Sequence, residues 1–277
     1  AEARDALLRA VGQEPSFAEA WTNLGVAQKD LGEADAARAS YEKAISLKPD
    51  DAIAHNNLGN LCITQGDIQL AIKEYERAID IDPDYVDAKV NLALAHRDAG
   101  DSAQSLSALE VVNAEHPNHG SVLNSLGNAL RNAQRFEEAR NILEHAIAVS
   151  PDYGEAYNNL GLVLTLLGQR NEALSMFERA VALRPALPVL SNNLGTLLLK
   201  MFHLEEAIIV LEKAVDLAPS YGDAWVNLGA AHFMRGHYDQ AVEAYCKIIE
   251  QQPDNAFAHY SLGVALVEQQ DLKEGTK

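Results

Sequence analysis

The sequence predicts an all-α solenoid, a stack of short helical hairpins in which each hairpin packs on the next. Three observations carry that prediction. Pro15, Pro49, Pro83, Pro117, Pro151, Pro185, Pro219 and Pro253, eight of the nine prolines, each stand thirty-four residues after the last. A large residue followed by a tiny one recurs in the same register at Leu24-Gly25, Leu58-Gly59, Leu126-Gly127, Leu160-Gly161, Leu194-Gly195, Leu228-Gly229 and Leu262-Gly263, with Leu92-Ala93 as the exception. Downstream of each pair, alanines and aromatics are spaced by three, four and seven residues, the spacing of one helix face.

Counted from three residues after each proline, the full repeats are 18–51, 52–85, 86–119, 120–153, 154–187, 188–221 and 222–255, within one solenoid spanning 1–277. Residues 1–17 supply the second half of a preceding unit, with Ala3, Leu7, Ala10 and Pro15 in register. Residues 256–277 supply a first helix and the beginning of a truncated second. The first helix of each unit carries the Leu-Gly pair at its seventh and eighth places, where a missing side chain lets a neighbouring helix approach closely. Gly32, Gly66, Gly100, Gly168 and Gly236 hold the fifteenth place, where a helix ending in a left-handed residue favours glycine. The second helix then presents alanine at its twentieth place (Ala37, Ala71, Ala139, Ala173, Ala207, Ala241), an aromatic at the twenty-fourth (Tyr41, Tyr75, Phe177, Tyr245) and alanine at the twenty-seventh. The proline closes it, and a new helix starts with acidic or small residues.

Some units depart from the pattern. The third has Ala93, Ser105, Leu109 and Val112 where the others have glycine, alanine, an aromatic and alanine, which predicts altered and looser packing. The turn place holds Gln134, Phe202 and Gln270 in the fourth, sixth and eighth units. Bulky residues are costly at positive φ, so those turns are expected to take another geometry, with Phe202 tucked over the neighbouring helix in preference to the alternative, an exposed apolar contact.

The recurring Leu-Gly, Ala, aromatic, Ala and Pro, in register through nearly the whole chain, resemble the tetratricopeptide repeat. That resemblance implies a right-handed superhelix whose concave wall is made by the first helices, with the second, fifth, sixth, ninth and twelfth places facing the groove. The sixth place reads Asn23, Asn57, Asn91, Ser125, Asn159, Asn193, Asn227 and Ser261, and Asn56, Asn124, Asn158 and Asn192 add amides at the fifth. A carboxamide both donates and accepts, so one per repeat makes a track that can hold the backbone of an extended peptide whatever its sequence. These ten asparagines are the candidate peptide-binding residues. If they only line a groove, replacing Asn159, Asn193 and Asn227 together by alanine is expected to leave stability nearly unchanged.

A long run of such units with an asparagine track is similar to the superhelical region of O-linked N-acetylglucosamine transferases, which would make the chain the substrate-recruiting part of a larger glycosyltransferase. A self-assembling scaffold, through apolar ends cut inside a repeat, is a further alternative. The fold's clamp for C-terminal carboxylates requires lysine at the fifth place, and none stands there.

Composition narrows the partners. With 22 basic against 40 acidic residues, the net charge of −18 repels phosphate backbones and anionic lipid, and favours a basic or neutral protein or peptide. Alternate units carry Glu19, Asp87, Glu155 and Asp223 at the second place, which either prefer basic ligands or complement the helix dipole. No apolar run reaches the length of a membrane helix. Cys62 and Cys246 sit in distant repeats, which predicts reduced thiols and a cytoplasmic setting. There is no initiating Met and the end is abrupt, so a segment of a longer chain is expected. Neither a phosphate-cradling glycine loop nor a nucleophile elbow nor a His-Glu-x-x-His motif is present, and Asp80, Asp82 and Asp84 lack the glycine and glutamate that complete a calcium loop. The sequence therefore predicts a binding surface without catalysis, cofactor or metal.

Overall fold

In the computed structural model, residues 1–275 are described, with side chains through Gln270. The described chain is an all-α solenoid. The helices are α1 (Glu2–Gln13), α2 (Ala18–Asp30), α3 (Ala34–Leu47), α4 (Ala52–Thr64), α5 (Ile68–Ile81), α6 (Val86–Asp98), α7 (Ser102–Glu115), α8 (Gly120–Asn132), α9 (Phe136–Val149), α10 (Gly154–Leu166), α11 (Arg170–Leu183), α12 (Pro188–Lys200), α13 (Leu204–Leu217), α14 (Gly222–Arg235), α15 (Tyr238–Gln251) and α16 (Ala256–Gly275). They fall into two compact units, Ala1–Gln134 and the residues from Arg135 onward. In the first, α2 pairs with α3, α4 with α5 and α6 with α7; in the second, α10 pairs with α11, α12 with α13 and α14 with α15. Consecutive hairpins within each unit pack through neighbouring helices, as in α3 against α4 or α13 against α14.

Four hairpins close on a Gly-aromatic contact, Gly25 with Tyr41, Gly59 with Tyr75, Gly161 with Phe177 and Gly229 with Tyr245, and Gly195 meets Leu211 in the same way. A Cβ placed on Gly161 would lie 2.8 Å from ring carbon Cε1 of Phe177, and one on Gly59 would lie 2.6 Å from Cε1 of Tyr75. Both distances are shorter than any ordinary carbon–carbon contact, so the absent methyl is what allows the rings to seat. Tyr41, Tyr75 and Phe177 are accordingly buried, flanked by the twentieth- and twenty-seventh-place alanines that bring the second helix close. In the first unit, Tyr41, Leu58, Leu61, Cys62 and Tyr75 join one cluster that bridges successive hairpins.

The loop between hairpins is tied down by the fourth place. Trp21 Nε1 donates to the Pro15 carbonyl at 3.0 Å, Trp225 Nε1 to that of Pro219 at 2.9 Å, and the Tyr157 hydroxyl to that of Pro151 at 3.3 Å. His55 Nε2 and His259 Nε2 lie 3.2 and 2.7 Å from the Pro49 and Pro253 carbonyls. A ring donor six residues on thus satisfies a loop carbonyl beyond the helix end.

The structure corrects several expectations. Gln134 and Phe202 keep the left-handed turn, at φ of 62° and 61°, just where Gly32, Gly66, Gly100, Gly168 and Gly236 take it. At Phe202, packing of the flanking helices α12 and α13 dictates the turn, and the local cost is absorbed. Phe202 is 74% exposed rather than tucked over a neighbour, because the turn directs its Cβ outward. Replacing Phe202 by glycine should therefore stabilise the fold by about 1 kcal/mol, read as a higher denaturant midpoint with unchanged slope. An unchanged or lower midpoint would mean that the turn carries no strain. At Gln270 there is no turn: α16 continues through it to Gly275, so no second helix begins among the described residues. The third repeat is altered but not loosened, since Ala93, Ser105, Leu109 and Val112 are all buried. A flexible Leu109 in place of a ring leaves room for the Ala93 methyl.

Candidate functional site

The first helices place the asparagine columns on one side of each unit. Asn23 is exposed, and Asn57, Asn91, Asn159, Asn193 and Asn227 are half-buried. The fifth place runs deeper than predicted. Asn56 and Asn192 are buried, at 4% and 6% exposure, and Asn124 and Asn158 are half-buried. The fifth place points into the seam between repeats because it lies one residue, about 100° of helix rotation, from the more open sixth.

The two columns are wired together across the seam. Asn91 Nδ2 donates to Asn56 Oδ1 at 2.9 Å in the first unit. In the second, Asn193 Nδ2 donates to Asn158 Oδ1 at 2.8 Å and Asn227 Nδ2 to Asn192 Oδ1 at 2.9 Å. Each is a sixth-place amide bonded to the fifth-place amide of the preceding repeat. The fifth-place amide then turns its own NH2 to a tyrosine at the end of its repeat: Asn56 to the Tyr85 hydroxyl and Asn192 to that of Tyr221, both at 3.2 Å. Burial raises the pKa of both phenols, so they stay neutral and present a lone pair to the amide. At the fifth place of the first repeat the Thr22 hydroxyl has two acceptors within reach, the Ala18 carbonyl at 3.4 Å and Asp51 Oδ2 at 3.5 Å.

One residue sets the polarity of the chain through Asn227. The Thr196 hydroxyl gives its only proton to the Asn192 carbonyl at 2.8 Å, so it must accept from Asn227 Nδ2, 3.0 Å away. Asn227 is therefore a donor to both Thr196 and Asn192, and both of its N–H groups are engaged. Its Oδ1 remains as the group with unused capacity. Asn193 and Asn227 both tie adjacent repeats, so their removal is now expected to cost stability, which a groove-lining role alone would not. Asn57 makes no such bond, since the preceding fifth place is threonine.

Tyrosines 85 and 221 were not picked out from the sequence. The signal was present: Asn56 and Tyr85, Asn124 and Tyr153, and Asn192 and Tyr221 are each twenty-nine residues apart. The second-place carboxylates are in part structural as well, with Glu19 Oε1 3.3 Å from Lys48 Nζ and Glu155 Oε1 3.1 Å from Arg184. Among the described residues no cluster of three or more His, Cys, Asp or Glu could hold a metal ion, and no helix is long and apolar enough to cross a membrane.

Fold and site together define a helical-repeat protein whose distinguishing feature is a face of ordered side chains. Tetratricopeptide-repeat models match residues 1–52 and 27–86, residues 63–130 and 198–262, and residues 121–186. The chain belongs to the tetratricopeptide-repeat family. None of the curated proteins compared matches it. Among solved structures it resembles a chain of the APC/C hetero-tetramer Cut9-Hcn1, at TM-score 0.77 and 16% identity over 94% of this chain. It covers 51% of that chain, about half its length. It also resembles a tetratricopeptide repeat protein from Parabacteroides merdae, with TM-score 0.65 and 17% identity over 90% of this chain and 98% of the other. Residues 41 to the end of MamA from Desulfovibrio magneticus match with TM-score 0.54 and 24% identity, over 62% and 98%. At these identities the likeness is one of fold.

Proposed function

We propose that the chain is a non-catalytic protein-interaction scaffold that holds extended segments of a partner along the first-helix face of each of its two units. Asn23, Asn57, Asn91, Asn159, Asn193 and Asn227 are the contacting amides. Asn56, Asn158 and Asn192 set the angle of their neighbours, and Asn124 occupies the same place as those supports. The observation that carries this reading is the fixed polarity at Asn227, whose donors are used internally while its carbonyl oxygen is left open. An open carbonyl oxygen suits a ligand N–H, and an extended backbone presents such groups at regular intervals on one edge. The net charge of −18 adds a preference for basic or neutral segments over acidic ones. Free thiols at the buried Cys62 and half-buried Cys246 support a reducing, cytoplasmic setting.

The test is selection of extended dodecapeptides from a random library on the immobilised protein, followed by resynthesis with alternate backbone nitrogens methylated. Methylation removes the donors and is expected to weaken binding by about tenfold or more, while Asn57→Ala weakens it without changing the melting temperature. Methylated peptides that bind as well as the parents would refute the reading.

A further inference from the structure

A second groove lies in the unit from Arg135 onward, between the second helices α13 and α15 with α14 as its floor, enclosing about 660 Å³. Its walls carry four carboxylates, Glu205, Glu212 and Asp216 from α13 and Glu243 from α15. Glu205 is paired with Arg235 at 2.5 Å, whereas Glu212, Asp216 and Glu243 make no ion pair. The floor is Trp225, Leu228 and His232.

His232 is the unusual component. It is only 8% exposed, and its Nδ1 is buried without a hydrogen-bond partner. Two repeats earlier the equivalent groove, of about 420 Å³, has Tyr157, Leu160 and Leu164 as its floor, so the eleventh place faces the groove and is apolar there. Its wall at the twenty-second place is Ser175 where the larger groove has Glu243. The larger groove therefore differs from its counterpart by one buried ring with an unmet polar atom, and it carries four carboxylates where the counterpart has two, Glu144 and Glu172. An orphaned buried nitrogen is costly unless something supplies its partner.

We propose that this groove is a second binding site, distinct from the asparagine face, for a lysine- or arginine-bearing protein segment. The methylene stem lies on Leu228 and the face of Trp225, which favours an adjacent cation. The charged head sits among Glu212, Asp216 and Glu243 and donates one N–H to His232. Burial lowers the His232 pKa, which keeps the ring neutral and able to accept.

The probe is a fluorescein-labelled heptapeptide alternating lysine with alanine and leucine, titrated against the full chain by anisotropy. The double variant Glu212→Gln/Glu243→Gln is expected to weaken binding by about tenfold, the worth of one charge-assisted hydrogen bond. His232→Leu, which installs the residue of the equivalent groove, should weaken it by a similar factor while preserving packing. Glu42→Gln/Glu76→Gln, an equal change of net charge on the exposed faces of α3 and α5, should leave it within twofold. Equal weakening by both charge pairs would reduce the effect to diffuse attraction and overturn the proposal, as would failure of the unmodified chain to bind. Loss of binding in Asn193→Ala/Asn227→Ala with the groove variants unaffected would place the peptide on the asparagine face and equally overturn it.

Discussion

Phe177→Ala is expected to lower the unfolding free energy by about 3–5 kcal/mol, the cost of emptying a ring-sized space in a packed interior. Phe177 is 2% exposed and lies directly against Gly161, so nothing nearby can collapse into the void without moving a helix. The reciprocal change is informative. Gly161→Ala should cost about 1–3 kcal/mol by itself, because its methyl would fall inside the ring's contact distance. In a Phe177→Leu background the same alanine should cost far less, since leucine has rotamers that withdraw from the site. The third repeat already carries that combination as Ala93 with Leu109, both fully buried. Denaturant unfolding of the four-membered mutant cycle measures the coupling. Additive effects of Gly161→Ala and Phe177→Leu would show that glycine and ring are not in the tight contact described. Since each hairpin touches only its neighbours, the loss should also be local, opening the hairpin α10–α11 before others.

Asn192→Ala should destabilise the chain by about 2–3 kcal/mol, although the sequence presents Asn192 as one more polar residue on a groove wall. The side chain is buried, accepts from Asn227 and donates to Tyr221. Truncating it leaves two partly desolvated groups short of a partner in the seam, each worth about 1–3 kcal/mol when unsatisfied. Asn57→Ala, by contrast, removes a half-buried amide with no bond across a seam and should stay within about 0.5 kcal/mol. Urea midpoints of the two variants separate the supports from the contacts. If both variants melt alike, the Asn–Asn–Tyr chain contributes nothing and the distinction between the columns fails.

Much of this architecture was legible in the linear pattern. The thirty-four-residue period placed the hairpins, and the tiny residue beside each leucine announced a close helix approach. The sixth-place column was visible too, since six of its eight residues are asparagine. What was not legible was how that column is used. The bonds of Asn91 to Asn56 and of Asn227 to Asn192 join residues thirty-five apart, one full repeat plus one, and helical periodicity within a single hairpin says nothing about contacts of that range. The same blindness explains the fifth place, assigned to an open wall and found in the seam.

The turns teach a related lesson. Local propensity argues against a left-handed glutamine or phenylalanine, yet Gln134 and Phe202 adopt that conformation. Phe202 does so because it joins α12 to α13, which pack against each other as a hairpin. The register, the helices and the identity of the packed residues are thus determined by the sequence alone, because they depend on short-range periodicity that each repeat states again. Which amide supports and which is left open, which turn is strained, and which groove holds an unpartnered histidine were decided only when neighbouring hairpins came together. Hydrogen-bond capacity and burial are properties of those seams, and a seam exists only in three dimensions.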